Sequence, residues 1–368
     1  MAEKNVIIER IQSNIDRIRN KEFNIYFYVL DTKGNPSGSL EYLYDTALIL
    51  KNKGYNVTML HSENEFVGVS EWLGKKYDVI KHSNIEKENV EIGPSDFLFI
   101  PEIFAKTVMP QTRDLPCKRV MIVQNYNYLS EFMPIGTTPQ DYGVYEVITT
   151  TKVQENMIKE YFPNILTNVV SPSIDPMFRD TDVPRKLIIN IVAKNQTDIK
   201  RIILPFYWKY PIYKFVSFRD LRGLSQDIFC DALREGVVTI VIDDTSNFMY
   251  SALESMRCGA ITLIKVPDKL SDWMIEGEGD SARINDSCLW FDDIDTLPDM
   301  LASIIRSWTL DEITPDLFDT QHEMDDRYTR SDMEKEIEKV YVGMFNRRAD
   351  EMNDVLTKIN TNQISEKE

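Results

Sequence analysis

Apolar residues fall into short uninterrupted runs separated by stretches in which they recur every three or four positions. Runs of that kind read as buried strands, and the periodic stretches as helices with one apolar face. The first half predicts strands over Asn24–Leu30, Asn56–Leu60, Asp78–Lys81, Asp96–Pro101, Arg119–Gln124 and Glu146–Thr150, with a helix over Leu40–Lys53. A second series follows the proline-marked segment Ser171–Pro176 and predicts strands over Leu187–Ala193, Tyr213–Ser217, Val238–Ile242, Ile261–Val266 and Cys288–Phe291. Strands alternating with helices imply an α/β protein with mostly parallel sheets, and two such series imply two of them. After Pro298 the pattern is helical, over Asp299–Ser307 and again over Ser331–Phe345, where Met333, Ile337, Val340, Tyr341 and Met344 share a face. Beyond about Glu351 the chain turns polar and is expected to fray.

At 368 residues the chain is long enough for two domains, each with its own core. Its net charge of −17 works against non-specific attraction to nucleic acid or anionic lipid, although a local basic cleft stays open. The first 20 residues place Val6, Ile7, Ile11, Ile15 and Ile18 at helical spacing, with Arg10, Arg17 and Arg19 between them. Such a helix packs on its own domain or lies weakly on a membrane surface, and Glu9 and Asp16 dilute the second reading. No apolar run is long enough to span a bilayer and the N-terminus is too charged for a secretory signal, so a cytoplasmic protein is expected. Cys117, Cys230, Cys258 and Cys288 lack metal or disulfide spacing and suit buried thiols, and the three histidines are scattered. Asp243-Asp244 and Asp292-Asp293 read as caps at strand ends, so no metal site is expected.

Candidate chemistry gathers where strands end. Asp243–Ile264 reads as a polar loop, Thr245-Ser246-Asn247-Phe248, then a helix with Met249, Leu253 and Met256 on one face and Glu254 in its middle, closed by Gly259. Gly34, Gly38 and Ser39 let the first strand-to-helix turn approach a ligand at a helix start, or simply form a tight turn. Lys194 and Asn195 leave one strand, and Lys200 and Arg201 follow at the next helix start. Glu102 closes another strand, and Gln124, Asn125 and Tyr126 close its neighbour; carboxyl ends of adjacent parallel strands are where ligands bind. Glu102 reads first as a capping carboxylate and second as a base.

The run Glu254-Ser255-Met256-Arg257-Cys258-Gly259 resembles the donor-site motif of retaining, nucleotide-sugar-dependent glycosyltransferases of the GT-B fold, in family 4. Ser173-Ile174-Asp175-Pro176-Met177-Phe178 is similar to the hinge of that family, and Gly38-Ser39 with Lys53-Gly54-Tyr55 to its first loop and turn. Arg327–Tyr341 resembles its closing helix. The resemblance implies two Rossmann-like domains around a cleft: an acceptor domain over 1–172, a donor domain over 173–328, a crossover helix over 329–350 and a polar tail over 351–368. It implies transfer of a hexose from a nucleotide-sugar, a UDP-sugar such as UDP-glucose, to a glycan or other acceptor, without cofactor or metal. Glu254 would bind the ribose, and Lys194 with Lys200 or Arg201 would neutralise the diphosphate. Gly38, Ser39, Asn195 and the loop Thr245–Phe248 would complete the donor site, and Glu102, Gln124, Asn125 and Tyr126 would face the acceptor. The first glutamate of the motif falls on Ser246. Two alternatives follow: a DNA-base glucosyltransferase of viral type, or a module that binds a nucleotide or sugar without turnover.

Overall fold

The computed structural model describes residues 2–181, 183–243, 246–277, 281–310, 312 and 326–361. Its strands are β1 (Asn24–Tyr28), β2 (Asn56–His61), β3 (Lys81–Asn84), β4 (Phe97–Pro101), β5 (Lys118–Val123), β6 (Glu146–Thr149) and β7 (Leu166–Val169), then β8 (Lys186–Ala193), β9 (Ser217–Asp220), β10 (Gly236–Ile242) and β11 (Ile261–Lys265). A short antiparallel ribbon, β12 (Ile275–Glu276) with β13 (Arg283–Ile284), precedes β14 (Leu289–Phe291). The first sheet has the order β3-β2-β1-β4-β5-β6-β7 and the second β14-β11-β10-β8-β9. Neighbours within both sheets run parallel. Phe97–Pro101 and Gly236–Ile242 are buried at every position, as strands covered by helices on both faces must be.

Strand order reverses between β1 and β4 in the first sheet and between β8 and β10 in the second. Connections diverge to opposite faces at such points and leave a crevice outside the carboxyl ends of the strands. The loops that open there begin after Tyr28, Pro101, Ala193 and Ile242.

Helix Arg330–Ile337 runs through a π turn at Glu338–Val342 into helix Gly343–Asn360. Met333, Ile337, Tyr341, Met344 and Phe345 are buried in the first sheet's core with Phe23, Phe27, Phe97 and Phe99. The Phe345 ring lies 4.6 Å from Phe97 and 5.0 Å from Phe23, and Tyr341 lies 5.0 Å from Phe99. The helix continues to Asn360 instead of fraying past Glu351, because Ala349 and Leu356 are buried and Met352 packs beside them. Helix Ala2–Arg19 lies along it with Ile15 and Ile18 buried, so the N-terminal helix packs on its own half of the molecule.

Three strands of the two parallel sheets differ from the sequence reading, and the short ribbon was not expected. β3 sits three residues later than the apolar pair Val79-Ile80 indicated; those two lie in a turn, and Val79 is exposed. β7 is a four-residue edge strand, too short and too polar to stand out. The run Tyr213–Ser217 is not a strand: β9 begins at Ser217, and Phe215 points to solvent.

Removing the Phe345 ring should therefore weaken the whole molecule. Phe345→Ala is expected to cost about 3–5 kcal/mol in urea unfolding, the range for large aromatic deletions in a core. A loss below about 1 kcal/mol would contradict the burial of this helix in the first core.

Candidate functional site

A cleft of about 440 Å³ opens between the carboxyl ends of the two sheets. The segment Ser246–Glu254 forms one of its walls. Ser246 Oγ accepts the Met249 amide at 3.0 Å, and the Ser246 amide donates to Asp243 Oδ1 at 3.0 Å. That pair of bonds turns the chain into helix Tyr250–Arg257, with Met249 in the left-handed region at φ 57°. The helix ends at Gly259, φ 76°, where a Cβ would lie 2.6 Å from the Asp180 carboxyl, so both conformation and space demand glycine. Leu253 and Met256 anchor the helix in the second core, and Glu254 is left against the cleft.

Glu254 is buried, and burial first, then the Cys230 thiol and Asp175, push its carboxyl up to about 8. Across the cleft, Glu41 projects from the first turn of helix Gly38–Asn52 and accepts Gln226 Nε2 at 2.8 Å. Burial, then Glu254 and Asp45, push Glu41 well above the usual carboxylate range. Two buried carboxyl groups from opposite halves thus line one cleft. Paired hydroxyl donors from a ligand would lower the cost of ionising them there. The helix start at Gly38 approaches the second half so closely that a Cβ would lie 2.8 Å from the Tyr250 ring.

Lys194 leaves β8 and its ammonium lies 2.8 Å from Asp243 Oδ1, at the end of β10; the pair spans the point where strand order reverses. Arg222 reaches the cleft from the loop after β9, its guanidinium held by both Asp220 oxygens. These two cations and the amides of the surrounding loops can face a phosphate group.

Beside the cleft the halves are tied by side chains to backbone amides. Asn247 Oδ1 accepts the Tyr126 amide at 2.9 Å and Gln154 Nε2 at 3.1 Å. The Asp272 carboxylate accepts the Lys152 amide at 2.5 Å and the Val153 amide at 3.0 Å, at the start of helix Lys152–Tyr161. A carboxylate there satisfies orphan amides and meets the positive end of the helix dipole.

Gly38, Ser39, Gln124, Asn125, Lys194, Ser246, Asn247, Phe248 and Glu254 meet at the cleft. Five other candidates lie outside its lining. Glu102 is buried and its Oε1 takes the Gln124 and Asn125 amides at 3.2 and 2.7 Å, so it caps the neighbouring strand end. Tyr126 gives its amide to Asn247, and its ring lies under the Lys269 ammonium, 5.8 Å from the centroid. Asn195 caps helix Gln196–Lys209 by accepting the Thr197 amide. Lys200 is exposed on that helix, and Arg201 pairs with Asp295 at 3.1 Å. Thr245 lies outside the described residues.

Glu41, Trp72, Tyr128, Arg222, Gln226 and Tyr250 line the cleft and were not singled out in the sequence. Glu41 follows Gly38 by three residues, one turn into the same helix, and that spacing was a usable signal. Arg222 was hidden by the misplaced strand before it. Among the described residues no group of three or more His, Cys, Asp or Glu side chains is placed to hold a metal, and no helix is long and apolar enough to cross a membrane.

Solved structures share the architecture. Sucrose-phosphate synthase from Thermosynechococcus elongatus aligns with a TM-score of 0.60 at 10% identity, over 88% of this chain and 100% of that one. Anabaena HepE, in complex with UDP-glucose, aligns with a TM-score of 0.60 at 8% identity, over 87% and 99%. The pneumococcal O-GlcNAc transferase GtfA, in complex with UDP and GlcNAc, aligns with a TM-score of 0.59 at 9% identity, over 88% and 99%. No family model matches the sequence, and the search of curated proteins finds no match. The fold is GT-B: two parallel α/β halves facing across a cleft.

The buried carboxyls give folding a defined pH dependence. Burial pushes Glu102 up to about 7 from 4.5. A folded pKa above the unfolded one stabilises fully below about pH 4.5, and that contribution is lost as pH rises through 7. Glu254 acts in the same direction up to about 8. Urea midpoints are therefore expected to fall between pH 5 and 8, with Glu102→Gln flattening the profile by about 3 kcal/mol. A profile unchanged by Glu102→Gln would show that its carboxyl is ionised throughout.

Proposed function

We propose that this chain is a retaining glycosyltransferase that moves a hexose from a UDP-sugar such as UDP-glucose to an acceptor hydroxyl, without a metal. The observation that carries the reading is the buried Glu254, placed at the same cleft as Lys194 from the neighbouring strand end. Glu254 takes the ribose hydroxyls, donors of the kind that make a buried carboxyl cheaper to ionise. Lys194 and Arg222 face the diphosphate, in place of Lys200 and Arg201. The bond between the anomeric carbon and the diphosphate oxygen breaks. The acceptor oxygen bonds to that carbon on the face the leaving group vacates, and its proton passes to the departing phosphate. Fixed cations stabilise the charge that develops on the leaving group.

A glycan or small hydroxyl compound is the acceptor that suits the first half of the cleft. Its described lining residues include Trp72, Gln124, Asn125 and Tyr128 and no Lys or Arg, which favours a neutral acceptor over a DNA base. The acceptor half is thus the first sheet with its helices, the donor half the second. Support for the donor class comes from HepE, which shares the fold and is described in complex with UDP-glucose.

A second reading, binding without turnover, has one observation in its favour: the Ser246 hydroxyl, at the place of the motif's first glutamate, is engaged by the Met249 amide. Thermal shift against UDP-, ADP- and GDP-sugars, followed by assays of donor consumption, distinguishes the two. A UDP-sugar is expected to raise the melting temperature, because it binds the folded state alone. Glu254→Ala is expected to weaken binding by about tenfold or more, roughly 1.4 kcal/mol. No shift with any nucleotide-sugar would sink both readings, and a shift without consumption in the presence of acceptors would leave only the second.

A further inference from the structure

The segment from Ile199 to Arg219 contains Lys200, Arg201, Lys209, Lys214 and Arg219 and no acidic residue, in a chain where 59 of 368 residues are Asp or Glu. Seven of its residues are aromatic: Phe206, Tyr207, Trp208, Tyr210, Tyr213, Phe215 and Phe218. Half of that apolar material is core. Phe206 is fully buried, its ring 6.0 Å from Tyr213 and 5.4 Å from Phe218, and Tyr207 donates to the Val216 carbonyl at 2.6 Å. These rings form a rigid base under the end of helix Gln196–Lys209 and the turn that follows.

The other half faces water. Leu204 is 45% exposed, Trp208 73%, Ile212 77% and Phe215 61%. Leu204 and Trp208 are four residues apart on one helix face, and Ile212 lies in the next turn. Phe215 follows, its ring 6.1 Å from Tyr213. Large side chains this exposed, clustered and held by packed rings beneath, are what a binding surface needs and what a solvated surface avoids.

From this geometry and charge pattern we infer that the end of helix Gln196–Lys209 and its following turn dock on an anionic lipid surface. An aromatic and aliphatic tip with lysines around it suits the bilayer interface, where apolar side chains enter the acyl boundary and cations meet headgroups. The stretch itself carries no acid, and the acids that reach it from the neighbouring helix start, Asp295 and Asp299, are paired with its own cations, which lowers the repulsion that the rest of the chain would have toward such a surface. Lys209, Arg201 and Arg219 are balanced by Asp299, Asp295 and Glu235, so Lys200 and Lys214 carry the excess. Lys194, at the cleft, immediately precedes the helix, whose 14 residues span about 20 Å. Docking through its far end therefore leaves the cleft open.

The membrane contact suggested by the first helix thus moves to another part of the molecule, because Ile15 and Ile18 are committed to the core.

Co-sedimentation of the full chain with vesicles tests this. The protein is expected to sediment with phosphatidylcholine–phosphatidylglycerol vesicles much more than with phosphatidylcholine alone, and less as salt is raised. The double variant Trp208→Glu and Ile212→Glu is expected to lose vesicle binding by about tenfold or more. Lys214→Glu should weaken binding and reduce its salt dependence. Circular dichroism and melting temperature matching the wild type show that both variants fold. Equal sedimentation of wild type and the double variant, or of wild type with both vesicle types, overturns the inference. So does a wild-type dimer in light scattering that the double variant splits without any vesicle binding, since the surface would then belong to a second copy.

Discussion

The last helix belongs to the core of the first sheet, and the relation between the two halves depends on that burial. The chain leaves the second half near residue 326 and inserts Met333, Ile337, Tyr341, Met344 and Phe345 among the aromatic side chains of β1 and β4. Polar contacts then fix its orientation. Arg330 pairs with Asp45 on helix Gly38–Asn52, and Glu336 takes the Ser171 amide at 2.6 Å, in the segment that joins the halves. With both crossings anchored on the first half, the carboxyl ends of the two sheets are held face to face. A cleft lined from both sides follows from that placement.

Carboxylates along this seam have two fates, and the difference separates framework from site. Glu102 and Asp272 each accept a pair of successive backbone amides, which consume their acceptor capacity and stiffen the strand ends and the helix start. Burial raises Glu102 as well, although its two amides hold it down, whereas at Glu41 and Glu254 nearby charge adds to burial: Glu254 and Asp45 at Glu41, Cys230 and Asp175 at Glu254. Buried carboxyls pushed up by neighbouring charge as well as by burial are poor framework, since ionising them there is costly. They are good receptors for hydroxyl groups. That asymmetry singles out Glu254 more strongly than its motif does, and it adds Glu41, which comes from the opposite half.

The sequence made the strand cores and the donor helix legible because both carry a single, local pattern: an apolar run ended by polar residues, or a glycine after a periodic stretch. Two errors have separate causes. The apolar run Tyr213–Ser217 mimicked a strand, although its exposed Phe215 belongs to a surface cluster, and the true strand four residues later put Arg222 beside the cleft. Lys200 and Arg201 were placed by spacing from Lys194, but Asn195 caps the helix, and the turns that follow carry both cations away from the strand end. The extension of the final helix escaped notice because its mean polarity is high and only Ala349, Met352 and Leu356 mark the packed face. Contacts made across the cleft, such as Asn247 with Tyr126 and Gln154, join residues more than 90 positions apart and leave no trace in local pattern.

Ser246 shows how a motif position can change its work while the fold persists. Its hydroxyl closes the turn that delivers the donor helix, with Met249 in a left-handed conformation that few side chains tolerate. A glutamate reaching into the cleft from that position would leave the Met249 amide to find another acceptor. The loop therefore gains a cap and loses a charge, and the carboxyl groups left at the cleft among the described residues are Glu41, Glu254 and the Asp243 paired with Lys194. Of these, Glu41 travels with the first half. Any opening of the cleft would withdraw it, so the electrostatic character of the pocket depends on how the halves are held as well as on which residues line it.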